Sequence, residues 1–275
     1  MYNTEMTLVP RISYKKKLVS DQEMKVRPLR PKVKIETMTY RSNHKKRDEL
    51  EQAFSIVYES YNKKGFIPRK KDHGMFFSLY SLLPGTVHAM TRTSQGITSN
   101  LTVIPNSEQF GLPMDSIYKT ELDQLRARGR KIVEVSALAT RGSHRRRNVF
   151  QYQIQAIFWH CFYRGVDDIC VTVNPKHKDY YLRLLSFQEL GPVRYYPHVN
   201  APAVALRCII SQSKERMREI SNSFYLKKPF YRYLYELFNG KDTDNEIKLG
   251  TGDVQLVVLR NMLSTYDFEY FLGLE

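Results

Sequence analysis

The stretch from Lys131 to Val173 constrains the fold more than any other part of the chain. Lys131–Thr140 (KIVEVSALAT) alternates as a strand does, with Ile132, Glu134, Ser136 and Leu138 on one face and Val133, Val135, Ala137 and Ala139 on the other. A polar basic loop, Arg141–Arg147, follows. Asn148–Tyr163 is apolar almost all round (Phe150, Ile154, Ile157, Phe158, Trp159, Phe162), as a largely buried helix is. Asp168–Val173 reads as a second strand. Strand, buried helix and strand in that order form a crossover, so the two strands should lie parallel with the helix covering one face of their sheet.

The flanking segments extend this unit. Val33–Met38 alternates as a half-buried strand. Asp48 precedes a helix whose apolar positions (Leu50, Ala53, Phe54, Val57, Tyr58, Tyr61) follow the stripe of an amphipathic helix, closed by Gly65 and Pro68. Val87–Arg92 and Ile97–Ile104, joined through Ser94-Gln95-Gly96, read as an antiparallel hairpin. Asp115–Arg128 is a helix that Gly129 ends, and Lys176–Leu185 another. Arg194–Tyr196 and Val204–Ile210 are strands. Hairpins combined with one crossover predict an α/β fold, a mixed and mostly antiparallel sheet flanked by helices.

Residues 1–32 are basic, carry Pro10, Pro28 and Pro31, and read as an arm; 33–210 form the main domain. Residues 211–275 read as a helical and aromatic C-terminal extension. It has helices around Lys214–Ile220 and Phe224–Phe238, a strand-like Val254–Leu259, and an aromatic tail at Tyr266, Phe268, Tyr270 and Phe271. It either packs on the main body or forms a small appendage.

The net charge of +15 is unevenly placed: residues 1–150 hold 28 Lys/Arg against 14 Asp/Glu, while 151–275 are nearly balanced. Such a field favours an acidic partner and allows peripheral contact with an anionic membrane. Nucleic acid is the weaker candidate, because the aromatics fall on buried helix faces and in the C-terminal tail, not on an exposed basic surface. No stretch approaches the ~18 to 20 apolar residues of a membrane span. The N-terminus has no apolar signal core, and Cys161, Cys170 and Cys208 are odd in number and too widely spaced for a metal motif. A cytoplasmic protein with reduced thiols and no metal is expected. Walker loops, G-x-S-x-G and zinc-spaced Cys/His clusters are absent from the sequence.

Three blocks carry a resemblance to a known family: Ala53–Ile67 (AFSIVYESYNKKGFI), Phe110–Ala139 (FGLPMDSIYKTELDQLRARGRKIVEVSALA), and Val173–Phe187 (VNPKHKDYYLRLLSF) continuing into Val193–Leu206 (VRYYPHVNAPAVAL). Over roughly residues 33–210 the chain resembles the long-chain N-acyl amino acid synthases of the GNAT-like acyltransferases, and more distantly the acyl-homoserine lactone autoinducer synthases. The resemblance implies a GNAT-like fold and transfer of a fatty acyl group from acyl carrier protein to the α-amine of an amino acid. The donor would be a phosphopantetheine thioester, with no permanently bound cofactor; acyl-CoA is the alternative donor. A lactone-type signal synthase and a CoA-dependent N-acetyltransferase are the alternative activities. One departure stands out. Relatives carry Gly before the Phe matched to Phe187, where this chain has Ser186, a residue for which positive φ is more costly.

In CoA-dependent relatives the loop after the Lys131–Thr140 strand places glycines where backbone N–H groups close on a pyrophosphate. Here Asn148 and Phe150 fill those positions. A carrier protein needs no pyrophosphate grip and is acidic, so Arg141, Arg145, Arg146 and Arg147 are the docking candidates. Amide formation from a thioester needs a neutral amine, donors for the oxyanion and alignment. Glu134, set mid-strand among apolar neighbours, is the candidate base; a structural carboxylate paired with an Arg is its alternative. Ser136, two residues on, is a candidate to position the amine or the thioester. By resemblance, backbone N–H groups near Leu138 and Ala139 would stabilise the oxyanion, and Asn174 would mark the splay between two strands that admits the pantetheine arm. Tyr181 or Tyr180 would protonate the departing thiolate, with aromatic packing as the ordinary alternative. Asn200 reads as a turn residue and His177 as a helix-surface residue. Arg194 and Arg207 are both eligible to meet an acceptor carboxylate.

Overall fold

The computed structural model describes residues 33–37, 44–68, 74–142, 149–213 and 255–260. Its strands are β1 (Val33–Thr37), β2 (Val87–Thr93), β3 (Gly96–Pro105), β4 (Ile132–Thr140), β5 (Asp168–Val173), β6 (Gln188–Tyr196), β7 (Ala201–Ile209) and β8 (Gln255–Arg260). Its helices are α1 (His44–Lys63), α2 (Leu79–Leu82), α3 (Asp115–Ala127), α4 (Val149–Tyr163) and α5 (Lys178–Leu184). The strands form one mixed sheet in the order β1-β8-β2-β3-β4-β5-β7-β6. Only β1·β8 and β4·β5 pair in parallel. The mostly antiparallel α/β sheet expected from the sequence is observed, and the parallel β4·β5 pair is the one bridged by α4.

Layering follows the apolar periodicities. On one face α4 buries Ile154, Ile157 and Phe158 against Leu101, Val103, Val133 and Val171, with α5 beside it. On the other, α1 packs Leu50, Ala53, Phe54 and Val57 over Met90, Ile97 and Ala139, and α3 packs Tyr118, Leu122 and Leu125 over Ile104, Ile132 and Cys170. Helix α1 ends in a Schellman motif. Gly65 takes φ 72°, its N–H bonds the Asn62 carbonyl, and the Phe66 N–H reaches back to the Tyr61 carbonyl. The equivalent bend after α5 is made by Ser186 at φ 58°, the strained substitution that the missing glycine implied.

Strand β4 departs from strict alternation, and the departure shapes everything near it. Asn100 pairs with Ala139 and Thr102 with Ser136, so two residues of β4, Ala137 and Leu138, lie opposite Leu101 alone. This is a β-bulge, and Ala137 sits in it at φ 51°. Asn100 secures it, donating from Nδ2 to the Ala137 carbonyl at 3.2 Å. The bulge corrects the simple alternating pattern: Leu138 joins Val133 and Val135 on the α4 face, while Ala137 packs with Ala139 on the α1 face. Beyond the fourth residue pair, Val135 with Val171, β4 and β5 no longer pair, and a gap opens between Ser136 and Thr172.

Two further differences have plain causes. Strand β6 begins at Gln188, not Arg194, because Gly191 and Pro192 break the sequence pattern; at the outer edge of the sheet a proline removes no needed hydrogen bond. Strand β8 lies inside the sheet between β1 and β2. The helices expected at 214–220 and 224–238 and the aromatic tail lie outside the described residues, as does the arm at 1–32.

Candidate functional site

The gap between β4 and β5 joins two cavities on opposite faces of the sheet. The first, about 210 Å³, lies under α4 and α5; Leu101, Val135, Leu138, Phe150, Ile154 and Phe158 give it an apolar wall. Exposed Lys64, Lys176 and His177 stand at its mouth. The second, about 250 Å³, lies on the α1 and α3 face and carries Glu134 with Ser78, Tyr80, Ser116, Tyr196 and His198. Ser136, Ala137, Thr172, Val173 and Asn174 line both, together with Tyr61 and Phe66 from the end of α1. These residues form a throat through the sheet.

Glu134 is 2% exposed. Its Oε2 accepts the Met114 N–H at 2.8 Å, at the residue that precedes α3. Burial pushes its carboxyl up to about 8; the Met114 hydrogen bond lowers it, and the nearby Asp115 carboxylate adds to the rise. No Arg pairs with it among the described residues. A carboxyl of this kind titrates where a general base is most useful. The loop carrying Met114 is itself held: Asp115 accepts the Leu112 N–H at 2.6 Å and is clamped by Arg126 at 2.5 Å.

Ser136 stands in the throat two residues from Glu134. Thr172 faces the same opening, and its Oγ1 is enclosed without a hydrogen-bond partner. Tyr181 lines the first cavity and rests edge-on against Phe187 at 5.4 Å; burial pushes its phenol up to about 12. Tyr180 packs outside, 39% exposed, against Phe150 at 6.0 Å, and lines neither cavity. Of the two tyrosines, Tyr181 alone reaches the cavity. Asn174 lies in the throat and accepts the Lys176 N–H at 3.2 Å, capping the 3-10 turn Pro175–His177.

Leu138 lines the first cavity, whereas Ala139 is buried in the core beneath α1 and lines neither. Arg141 is half-buried, its N–H bonded to the Thr98 carbonyl; Arg145, Arg146 and Arg147 lie outside the described residues. Neither arginine proposed for an acceptor carboxylate lines either of these two cavities. Arg194 forms a two-point pair with Glu121 at 2.5 and 3.0 Å and stacks over Tyr118, while Arg207 faces the buried Asp168. Asn200 is the turn residue expected, at φ 43°. His177, read as a surface residue, is exposed but stands at the cavity mouth.

Sequence reasoning missed Asn100, Thr172 and Tyr61. Asn100 and Thr172 are ordinary strand residues until the bulge and the gap give them a place. Tyr61 sits in the apolar stripe of α1, where nothing local separates it from a core aromatic. Among the described residues no group of His, Cys, Asp and Glu could hold a metal, and no helix is long and apolar enough to cross a membrane.

Comparison with known proteins agrees with this fold. The sequence pattern of the N-acyl amino acid synthase FeeM family matches residues 52–209. The structure of FeeM, an N-acyl amino acid synthase from uncultured soil microbes, superposes with a TM-score of 0.54 and 25% identity, covering 62% of this chain and 94% of that one. The CoA-dependent acyl-homoserine lactone synthase BjaI shares the fold at 13% identity and a TM-score of 0.54, covering 90% of this chain and 100% of its own. A comparison with curated protein sequences finds no match. The match spans more than half of the chain and includes β2 to β7, α2 to α5, the last part of α1 and the residues of the throat, so the chain belongs to the FeeM family of N-acyl amino acid synthases, GNAT-like acyltransferases.

Proposed function

We propose that the protein transfers a long-chain fatty acyl group from acyl carrier protein to the α-amine of an amino acid, releasing an N-acyl amino acid. The observation that carries this reading is the throat: an apolar cavity and a cavity holding a buried carboxylate meet where β4 and β5 part. The phosphopantetheine arm enters the first cavity past Lys64, Lys176 and His177, whose charge and polarity suit a single phosphate. The acyl chain rests on Ile154, Phe158 and Leu101, and the thioester carbonyl lies in the throat.

The amine approaches from the second cavity. Its nitrogen forms the C–N bond, and Glu134 takes its surplus proton. The tetrahedral intermediate then collapses, the C–S bond breaks, and the thiolate leaves into the first cavity, where Tyr181 hands it a proton that solvent at the cavity mouth replaces in the same step. Ser136 positions the reacting groups, Leu138 helps to wall the arm, and Asn174 fixes the turn that closes the splay. Residues 33–210 form the catalytic domain, whose sheet is completed by β8 of the C-terminal segment between β1 and β2, and the basic arm is added to it. The loop Arg141–Arg147 docks the acidic carrier protein, and the protein works in the cytoplasm.

Mass spectrometry of lipid extracts from cells overexpressing the protein tests this. Accumulated N-acyl amino acids are expected, and are lost in Glu134→Gln. Extracts indistinguishable from those of control cells overturn the reading. Presenting one acyl chain on carrier protein and on CoA at equal concentration decides the donor. Faster transfer from CoA, unaffected by salt, contradicts carrier-protein docking.

A further inference from the structure

Tyr61 occupies a position that no role so far described uses. It lies in the last turn of α1, and its ring lines both cavities at the throat. No protein group among the described residues hydrogen-bonds its hydroxyl, and that hydroxyl is not among the enclosed polar atoms. The ring is nonetheless held firmly. Phe66, folded back by the Gly65 turn, meets it edge-on at 5.9 Å, and Phe76 packs on it, tilted, at 5.1 Å. A packed ring whose hydroxyl has no partner among the described residues, at a ligand-sized opening, is arranged for a ligand and not for the fold.

We propose that Tyr61 is a further catalytic residue of the acyl transfer, its hydroxyl donating a hydrogen bond to the thioester carbonyl oxygen at the throat; this rests on the two-cavity reading above. As the C–N bond forms, the carbonyl electron pair moves onto oxygen, and the phenol bonds that oxyanion while keeping its proton. Glu134 has by then taken the surplus nitrogen proton; when the carbonyl re-forms, the C–S bond breaks and the leaving thiolate is protonated from the first cavity. Burial, with the Glu134 charge adding to it, pushes the Tyr61 phenol up to about 12, so it remains a donor throughout the range in which Glu134 titrates. Tyr61 and Glu134 line the same second cavity, so donor and base face one opening. Tyr181 opens on the first cavity alone, which suits it to the thiolate.

The test is Tyr61→Phe, which keeps the ring and its packing and removes only the oxygen. The expected result is a fall in kcat of about 100-fold, the loss typical of one oxyanion donor. KM for the acyl thioester and for the amine should stay within about 3-fold, because the bond to a neutral carbonyl is weak and strengthens as the oxyanion forms in the transition state. The melting temperature should not change. If the unmodified protein transfers acyl groups and Tyr61→Phe matches its kcat, the Tyr61 assignment alone falls. A change confined to KM, or a melting temperature lowered by several degrees, overturns it equally, since the hydroxyl then serves binding or the fold. If the unmodified protein acylates no amine, the two-cavity function falls and Tyr61 with it.

Discussion

The two faces of the sheet carry cavities of different chemical character on the same backbone. Under α4 the cavity wall is aliphatic and aromatic, and polar groups appear only at its mouth and throat. Under α1 and α3 the cavity of similar size holds a buried carboxylate, serines and phenols. Apolar walls gain by excluding water and are indifferent to pH. A buried carboxyl is costly when charged and therefore titrates late. The bulge at Ala137 makes the contrast possible: it turns Leu138 to the apolar side while leaving Glu134 on the polar one.

The sharpest way to break this contrast is Glu134→Gln, which can still accept the Met114 N–H and should fold. Its kcat at neutral pH should drop about 1000-fold, within the range for losing a general base, and recover in part at higher pH where the amine is already neutral. Parent activity should rise with pH through about 8. Unchanged turnover in a folded variant removes Glu134 from the chemistry.

The same carboxyl should leave a mark on stability. Its folded pKa is raised above the unfolded value, so the protonated form stabilises the fold at low pH. That contribution is lost as pH rises from about 4.5 to about 8. Denaturant titrations should show the parent losing on the order of 3 kcal/mol relative to Glu134→Gln between pH 4.5 and 7. Parallel curves would mean that burial does not shift this group. His88 acts in the opposite sense: burial pushes it down to about 4, so its contribution is lost as pH falls through about 6.5 to 4. The comparison with Glu134→Gln cancels it.

On the apolar side, Ile154→Trp should narrow the cavity without touching the base. Competition between long and short acyl thioesters should shift about 10-fold in kcat/KM toward the short chain, as expected for about one methylene of lost space. Equal loss for both lengths would place the acyl chain elsewhere. The smallest effect belongs to the turn after α5. Ser186→Gly removes both a left-handed serine and an enclosed hydroxyl without a partner. After the added flexibility of the unfolded chain is offset, it should stabilise by about 0.5 to 1 kcal/mol in thermal melts, with activity unchanged.

The crossover was legible because an all-round apolar helix between two strands has few other homes, and the hairpin because Ser94-Gln95-Gly96 is a local turn signal. Glu134 was legible for a related reason: a carboxylate mid-strand among valines needs an explanation wherever it occurs. The bulge was not, since VEVSALAT alternates without a flaw and only Asn100, distant in sequence, pins Ala137 out of register. Nor was the strand order, because nothing within 255–260 says that it pairs with 33–37 and 87–92. Arg194 looked eligible as a carboxylate ligand until α3 supplied Glu121. Residue type suggests a role, and the neighbour that satisfies the residue decides it.

The central claim is that an amine and a thioester meet at the throat. A quenched single-turnover reaction tests it most directly, with purified protein, a long-chain acyl group on carrier protein and an isotope-labelled mixture of amino acids, followed by mass spectrometry. The predicted result is a labelled N-acyl amino acid appearing at the rate at which the thioester disappears. Thioester lost only as free fatty acid, or not lost at all, would contradict it.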